Sequence, residues 1–531
     1  MQREPMLDRL RSGEIFDMLV VGGGATGLGA AVEAATRGYR VALIEQNDFA
    51  KGTSSRATKL VHGGVRYLKQ GNIPLVRTAL RERGHLLRNA PHLTRNLAFV
   101  IPNYGWWESA FYGIGLKVYD RMAGRLSLGR SQLLSREETR ALLPTVEPRG
   151  LKSGVLYHDG QFDDARLAVN LAQTAADHGA AVVNYCSCAG FVKEEGRIAG
   201  VLARDHETGA EFTVRASVVI NATGVFVDSL RKVDEAEAPS LVTVSQGMHV
   251  VLPKSFLPGE AALMIPKTAD GRVLFAVPWH DCVVVGTTDT PVARATLEPR
   301  ALDEERAFVM EHARKYLANG PSEGDVLSVF AGLRPLVRTR SPGKTAALSR
   351  DHTIVVSASG LVTITGGKWT TYRKMGEDVV NQAERVAGFA RRASCTADLR
   401  IHGWSDAPAQ KGRLAVYGAD AASLGELVRS RPELDAAVHP QLAFCRAEIV
   451  WHTRHEMART VEDVLARRTR SLLLNARASI EAAPAVAELL AQELGRDEAW
   501  QRAQVEAYTR LARGYVFTDP ASRGRSDGPV P

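Results

Sequence analysis

The residues with the clearest chemistry lie near the start of the chain, where glycines follow an apolar run. Gly22, Gly24 and Gly27 form the pattern G-x-G-x-x-G after the apolar residues 18–21, and Glu45 ends a second apolar run. Such glycines allow a tight turn, a close backbone approach to a pyrophosphate and close helix–strand packing. The following helix N-terminus favours phosphate, and the carboxylate can accept hydrogen bonds from ribose hydroxyls. The pattern predicts a dinucleotide site, without separating NAD from FAD.

The elements that must position this turn follow from the spacing of the apolar residues. Residues 17–22 and 41–45 are predicted to form buried parallel strands, joined by an alanine-rich helix that ends near Gly38. Two later apolar strands, at 216–220 and 361–365, each lead into a glycine turn. Three strand-to-glycine turns predict a single discontinuous sheet around one large cofactor.

The composition is that of a globular protein with several domains. The chain has 531 residues, of which 45% are hydrophobic and 24% charged, which excludes a disordered chain, a collagen-like repeat and a small disulfide scaffold. No apolar run reaches the ~20 residues that span a bilayer, and residues 1–16 lack the apolar stretch of a signal peptide. The 5 cysteines form no C-x-x-C pair, which predicts reduced thiols, a cytoplasmic protein and no metal site.

The formal net charge of +8 indicates an anionic partner. Nucleic acid, anionic lipid headgroups and a small anionic substrate all fit a basic chain. The cations are spread along the sequence, and no RRM, KH or zinc-finger signature is present. We therefore expect no nucleic-acid partner.

Beyond the glycine turn, the chain carries a series of specific motifs. The longest is Thr53-Ser-Ser-Arg-Ala-Thr-Lys-Leu-Val-His-Gly-Gly-Val-Arg-Tyr-Leu68. Others, in chain order, are Arg81-Glu-Arg83, Ala90-Pro-His-Leu93, Asp163-Asp-Ala-Arg166, Gly286-Thr-Thr-Asp289, Gly332-Leu-Arg-Pro335, Gly366-Gly-Lys-Trp-Thr-Thr-Tyr-Arg373 and Arg454-His-Glu-Met-Ala-Arg-Thr-Val-Glu-Asp463. In type and order these motifs resemble the FAD-dependent glycerol-3-phosphate dehydrogenases, over most of residues 17–476.

The resemblance implies an α/β fold of the D-amino-acid-oxidase or glutathione-reductase type. A Rossmann-like, discontinuous FAD-binding domain would join an α+β substrate-covering domain within residues 14–395. The FAD-binding parts are expected at about 14–74, 151–235 and 331–395, and the substrate-covering parts at about 75–150 and 236–330. Helical spacing of alanine, leucine and arginine predicts a separate C-terminal helical domain at 400–518. The polar tail 519–531 is predicted to be disordered.

The resemblance also implies an activity, the oxidation of sn-glycerol 3-phosphate to dihydroxyacetone phosphate. Hydride would pass from C2 to the flavin N5, and electrons would go on to a membrane quinone. The implied flavin contacts are Gly22, Gly24, Gly27, Glu45, Thr53, Ser54 and Gly367, with His62 as a flavin neighbour. The implied substrate contacts are Arg66, Tyr67, His249, Arg334, Arg350 and Lys368. A phosphomonoester carries close to two negative charges near pH 7, which suits several cations.

Two residues compete for the role of catalytic base. His249 interrupts the β-run 247–252, where a lone histidine is commonly a packed core residue. Neighbouring cations would depress its pKa and keep it neutral, so that it can accept a proton. Arg334 follows the apolar strand 326–330 at a predicted glycine–proline bend, but an arginine is effectively always protonated. We favour His249 as the base.

Alternatives for acceptor, substrate and location stay open at this point. Oxygen could replace the quinone, and an amino acid could replace the phosphate ester, because a cation cluster also binds a carboxylate. A flavin-dependent enzyme acting on tRNA would need a localised basic groove. Aromatic and basic residues alternate over 104–130, a pattern typical of a packed helix or of a segment in a membrane interface. A quinone acceptor favours peripheral attachment to the anionic inner face of the cell membrane, and a homodimer is compatible with the sequence.

Overall fold

The protein is built on two β-sheets, with helices on the outside and a helical C-terminal part. The computed structural model describes residues 1–64, 73–105, 124–265, 271–338, 352–406 and 412–524, together with residues 122 and 268. The strands, numbered in chain order, are β1 (Ile15–Val21), β2 (Val41–Ile44), β3 (Leu60–Val61), β4 (Thr94–Asn103), β5 (Gln132–Leu134), β6 (Ser153–Phe162), β7 (Ala181–Val183), β8 (Cys186–Glu194), β9 (Arg197–Asp205), β10 (Glu211–Asn221), β11 (Val242–Pro253), β12 (Ala262–Ile265), β13 (Leu274–Trp279), β14 (Cys282–Gly286), β15 (Thr290–Val292), β16 (Ser328–Val337), β17 (His352–Val356) and β18 (Val362–Gly366). The helices are α1 (Arg3–Arg11), α2 (Ala25–Thr36), α3 (Ile73–Asn89), α4 (Arg136–Leu142), α5 (Asp164–Asp177), α6 (Val227–Asp234), α7 (Asp303–Tyr316), α8 (Tyr372–Ala387), α9 (Ala421–Ser430), α10 (Arg446–His455), α11 (Ser471–Leu474), α12 (Ala476–Leu494) and α13 (Glu498–Arg513).

The first sheet confirms the discontinuous arrangement predicted from the glycine turns. Its strand order is β17-β18-β10-β1-β2-β7, with β8 and β9 extending it beside β10. The pairs β1–β10, β1–β2, β2–β7 and β10–β18 are parallel, so their carboxyl ends meet at one edge. Helices α2, α5 and α8 cover one face, and α1 covers the other. Brought together from distant parts of the sequence, the glycine turns therefore lie side by side.

The second sheet is mostly antiparallel and has the order β15-β11-β14-β13-β12-β4-β6-β3, with β16 beside β11 and β5 beside β6. Three strands of this sheet were expected in the FAD-binding parts, at residues 60–61, 153–162 and 331–337. Instead, β3 pairs with β6, β6 pairs with β4, and β16 pairs with β11. The bend expected around Arg334 is also absent, because β16 continues to Val337. An apolar run predicts a strand but does not reveal its non-local partner.

The C-terminal helices form the predicted helical domain, and this domain packs closely against the second sheet. Their apolar core includes Val251, Trp279 and Phe330, which belong to the second sheet. Buried ion pairs also join them to the loop that follows β2. Arg468 donates to both carboxylate oxygens of Asp48, at 2.6 and 2.9 Å. Buried charges are costly unless paired, so these contacts make the helical part a structural component of the cofactor half.

The predicted disordered tail is wrong for residues 519–524. Residues Pro520–Ser522 form a helical turn, and Ser522 is fully buried. Arg306 donates to Ser522 Oγ at 2.5 Å and to the carbonyl of Phe517 at 2.7 Å. A polar residue of the tail, whose composition suggested disorder, thus forms a hydrogen bond with a buried arginine. Residues 525–531 lie outside the described part of the chain.

No helix within the described residues has the length and mean hydropathy that a membrane span requires.

His402 joins the cofactor half to the helical part. Its Nδ1 lies 2.7 Å from Asp177 Oδ2, at the end of α5, and its Nε2 lies 2.9 Å from Asp420 Oδ2. Burial alone would lower the pKa of His402, but the hydrogen bonds and charges of the two carboxylates outweigh it and raise the pKa to about 9.

We expect the folded protein to lose stability as pH rises through about 9, because the pKa of His402 is higher in the folded state than in the unfolded state. The folded state therefore binds this proton more tightly, and deprotonation removes that stabilisation. This contribution is complete below the unfolded pKa of 6.5 and has an upper limit on the order of 3 kcal/mol. Melting temperatures of wild type and His402→Gln measured from pH 6 to 10 check it. His439→Gln is the matched control, because its partner Glu481 is 67% exposed. Equal pH slopes in wild type and His402→Gln would contradict the expectation.

Candidate functional site

Two adjoining cavities lie where the carboxyl ends of the first sheet face the second sheet. The first, of about 280 Å³, is lined by the glycine turn at 22–24, by Glu45 and by the turn after β10. The second, of about 320 Å³, is lined by residues of both sheets, including His249, Arg334 and Lys368. Thr53 lines both cavities, so the two lie side by side.

At two positions of the glycine turn, neighbouring backbone lies so close that any side chain would collide with it. A Cβ on Gly27 would lie 1.8 Å from the carbonyl oxygen of Gly22, and a Cβ on Gly22 would lie 2.7 Å from that of Ala222. Gly22 also has a φ of 113°, in the region that favours glycine. The turn leads directly into α2, whose N-terminus faces the first cavity. This cradle and helix end fit the pyrophosphate of a dinucleotide.

The predicted cofactor contacts Glu45, Thr53 and Ser54 surround the same turn. Glu45 Oε2 accepts from the amide of Gly23 at 2.6 Å, and burial raises the pKa of Glu45. Ser54 Oγ accepts from the amide of Ala25 at 2.9 Å, at the start of α2. Thr53 Oγ1 donates to the carbonyl of Leu333 at 2.7 Å, which ties this loop to the second sheet. This set of donors and acceptors fits a dinucleotide such as FAD.

His249 lies on β11 at the floor of the second cavity and is 2% exposed. Its ring stacks on Phe330, with centroids 4.7 Å apart and planes at 14°. Space for the ring depends on Gly286 of the neighbouring strand, because a Cβ there would lie 2.2 Å from His249 Cδ2. His249 Nε2 lies 2.9 Å from Thr58 Oγ1. The histidine is thus packed, as such runs predict, and also borders the cavity.

The pKa of His249 lies well below its ordinary value. Burial is the main cause, and the charges of Arg334 and Lys59 add to it. The sequence reasoning expected the depression but assigned it to the cations alone. The imidazole is therefore neutral at physiological pH and can accept a proton.

Arg334 projects from β16 toward the same cavity. Its guanidinium donates to Thr287 Oγ1 at 3.1 Å and to the carbonyl of Thr288 at 3.0 Å, and it lies 3.3 Å from Asp289 Oδ1. It occupies the space beside Gly247, where a Cβ would lie 2.1 Å from the guanidinium. Two glycines, at 247 and 286, therefore make room for Arg334 and His249.

The remaining predicted residues are divided between the cavity and the undescribed segments. Lys368, Gly367 and His62 all line the second cavity. Gly367 has a φ of 72°, and a Cβ there would lie 2.4 Å from Met375 Sδ. The predicted substrate residues Arg66, Tyr67 and Arg350 lie outside the described residues, as does most of the aromatic segment 104–130.

Several residues of the site were missed by the sequence reasoning. Thr58 and Tyr157 line the second cavity. Lys59, which follows Thr58 in the motif 53–68, is fully buried and donates to Asp164 Oδ2 at 2.7 Å. Thr58 lies within the motif 53–68, but its segment is irregular, so no periodicity in the sequence indicated which way its side chain points.

Replacing Gly27 by alanine is expected to abolish FAD binding, because the new Cβ would lie 1.8 Å from backbone that cannot withdraw. The flavin absorbance of the purified variant, after incubation with excess FAD, measures the loss. Gly190→Ala in β8 is the matched control, since nothing lies within 4 Å of its Cβ position. A yellow Gly27→Ala protein with wild-type FAD content would show that the turn is not the cofactor cradle.

Comparison with known families matches nearly the whole chain. Residues 17–373 match the family described as FAD dependent oxidoreductase. Residues 362–501 match the family described as the C-terminal domain of alpha-glycerophosphate oxidase. These matches agree with the cofactor site described above and with the helical character of the C-terminal part.

Similarity to several glycerol-3-phosphate dehydrogenases extends over nearly the whole of this chain. The chain is 38% identical to the mitochondrial glycerol-3-phosphate dehydrogenase of Homo sapiens, over 99% of this chain and 76% of that protein. It is 36% identical to that of Schizosaccharomyces pombe, over 99% and 91% of the two chains. The solved glycerol-3-phosphate dehydrogenase of Bacillus halodurans, complexed with FAD, superposes with a TM-score of 0.75 at 28% identity, covering 96% and 97%. Glycine oxidase from Geobacillus kaustophilus, at 20% identity and a TM-score of 0.53, covers 73% and 98% and shares the fold alone.

Proposed function

The chain belongs to the family of FAD-dependent glycerol-3-phosphate dehydrogenases, and from that premise we propose that it oxidises sn-glycerol 3-phosphate to dihydroxyacetone phosphate. The observation that carries the proposal is that the two cavities adjoin at Thr53. The dinucleotide cradle thus lies beside a chamber lined by a neutral base and by cations, which are the groups this reaction needs. When bound, FAD supplies the oxidant that accepts the C2 hydride.

The chain's own residues bind and orient the substrate. Arg334 and Lys368 border the second cavity and supply the charge that a phosphate dianion requires. Asp289 and the Thr288 carbonyl hold the guanidinium of Arg334, so its direction is set before substrate arrives. Arg66, Tyr67 and Arg350 complete this set as proposed substrate contacts. Gly22, Gly24, Gly27, Glu45, Thr53, Ser54, His62 and Gly367 are the proposed FAD contacts.

His249 is the proposed catalytic base. Its imidazole is neutral because burial and nearby cations disfavour the charged form. A bound phosphate dianion beside Arg334 offsets that positive field, so the pKa of His249 rises when substrate binds. The base therefore gains proton affinity at the stage of the reaction that requires it.

The electron acceptor and the cellular location belong to the same proposal. A membrane quinone is the proposed acceptor, and oxygen is the alternative. Peripheral contact with an anionic membrane is proposed through the aromatic and basic residues of 104–130, on the inner face of the cell membrane. Support comes from the net charge of +8 and from the sequence pattern. Co-sedimentation with anionic liposomes at low and high salt tests the contact.

An anaerobic titration of the purified protein with sn-glycerol 3-phosphate tests the proposed function. We expect the flavin absorbance band near 450 nm to bleach, and a short-chain quinone added afterwards to restore it faster than air does. A yellow protein that a phosphate-free glycerol or an amino acid bleaches equally well would contradict the substrate assignment. Faster restoration by oxygen would replace the quinone by oxygen as acceptor.

A further inference from the structure

Thr58 is the side chain through which the proposed base meets the substrate cavity. Its Oγ1 lies 2.9 Å from His249 Nε2, and both residues line the second cavity. The other ring nitrogen, Nδ1, is buried and has no hydrogen-bond partner within the described part of the chain. The polar contact of this imidazole with the cavity wall is therefore the Thr58 hydroxyl.

Two further sides of the His249 ring are covered by packing. One face lies against Phe330, and the backbone of Gly286 lies against the Cδ2 edge. With 2% of the residue exposed, the imidazole leaves little room for a direct approach of a substrate hydroxyl. Thr58, by contrast, is half-buried at the cavity wall.

The backbone on both sides of Thr58 is held in place by hydrogen bonds to a buried carboxylate. Lys59 Nζ donates to the carbonyl of Ser55 at 2.9 Å and to Asp164 Oδ2 at 2.7 Å. The amide of Ala57 donates to the same Asp164 oxygen at 2.9 Å. Residues on both sides of Thr58 are thus anchored to one buried carboxylate, so the hydroxyl is preorganised.

We propose that Thr58 is a catalytic residue that relays the proton of the substrate hydroxyl to His249, an inference that rests on the function proposed above. The substrate O–H bond breaks and its proton passes to Thr58 Oγ1, while the proton of Thr58 passes to His249 Nε2. The C2–H bond breaks at the same time, its electron pair leaves as hydride to the oxidant FAD, and C2=O forms. A hydroxyl donates and accepts at once, which is the property that this relay uses.

Two substitutions that differ by one functional group test the relay. Thr58→Val keeps the shape and removes the hydroxyl, and we expect it to slow anaerobic flavin reduction by sn-glycerol 3-phosphate about a hundredfold. Thr58→Ser keeps the hydroxyl and is expected to stay within about fivefold of wild type. FAD content, melting temperature and the affinity for dihydroxyacetone phosphate, measured by the flavin spectrum, are expected to be unchanged in both variants.

The outcomes separate failure of the relay from failure of the function. Wild-type bleaching with an equally fast Thr58→Val variant overturns the relay and leaves the function intact. A Thr58→Val protein that loses FAD or melts early shows a structural role and also overturns it. A wild type that does not bleach overturns both.

A readout independent of turnover is the imidazole ¹⁵N spectrum of histidine-labelled protein. The relay requires an unprotonated Nε2 and a protonated Nδ1 on His249, because Thr58 must donate to Nε2. Comparison with His249→Gln assigns the signal. A proton on Nε2 would overturn the proposal.

Discussion

Replacement of Arg334 by methionine is expected to lower kcat/KM for sn-glycerol 3-phosphate about a thousandfold, mainly by raising KM. The guanidinium lies in the second cavity and is held by Asp289 and Thr287. Removing one partner of a desolvated charge pair costs about 4 kcal/mol, which is close to this factor. Steady-state kinetics with a quinone analogue, together with flavin reduction rates, measure the effect.

Two variants calibrate the Arg334 result. Arg334→Lys keeps the charge but loses the planar fork, so we expect a loss of only about thirtyfold. Arg338→Met is the matched control, because this exposed arginine ends the same segment and donates to the carbonyl of Val242. An unchanged KM in Arg334→Met would remove Arg334 from the phosphate site.

The parts of the fold that could be predicted were those with strong local signals. Gly22, Gly24 and Gly27 follow a short apolar strand, and the helix after them needs no distant contact to be recognised. The order of β18, β10 and β1 could also be inferred, because each ends in a glycine turn that must reach one ligand. These features depend on backbone conformation, which sequence records directly.

The parts that failed depend on pairing between distant strands. Nothing in residues 153–162 or 331–337 distinguishes a strand of the first sheet from one of the second, because both sheets take apolar runs. The contacts of the helical domain with the rest of the chain could not be predicted for the same reason. Its arginines, such as Arg468, suit a solvated surface equally well until Asp48 is known to face them.

The candidate site shows the same division. His249 and Arg334 could be named, but their glycine neighbours could not, since the requirement for Gly247 and Gly286 arises only when two strands meet. Burial as the main cause of the low pKa of His249 likewise depends on Phe330, which a third strand supplies. Thr58 was present in a recognised motif, yet its role depends on β11 lying opposite. The residues proposed to react with or bind the substrate were thus easier to predict than the packing that sets their position and pKa.

His249→Gln is expected to slow flavin reduction about a thousandfold while FAD stays bound. General-base catalysis contributes roughly 10²–10⁴ in rate, and glutamine fills a similar volume without accepting a proton. The imidazole does not contact the glycine cradle, so FAD content is expected to match wild type. Stopped-flow mixing with saturating sn-glycerol 3-phosphate, in the absence of oxygen, measures the rate.

The pH dependence of the same step gives an independent check on His249. Because its pKa lies well below 6.5, the free enzyme keeps the base neutral, and lowering pH from 8 to 6.5 should not protonate it. Arg334→Met removes one of the cations that depress this pKa, so the acid limb of the reduction rate should move to higher pH. His312→Gln, in α7, is the control for loss of a buried histidine. If His249→Gln keeps more than a tenth of the wild-type rate, the proton has another acceptor, and the neutral imidazole on Phe330 is a packing residue.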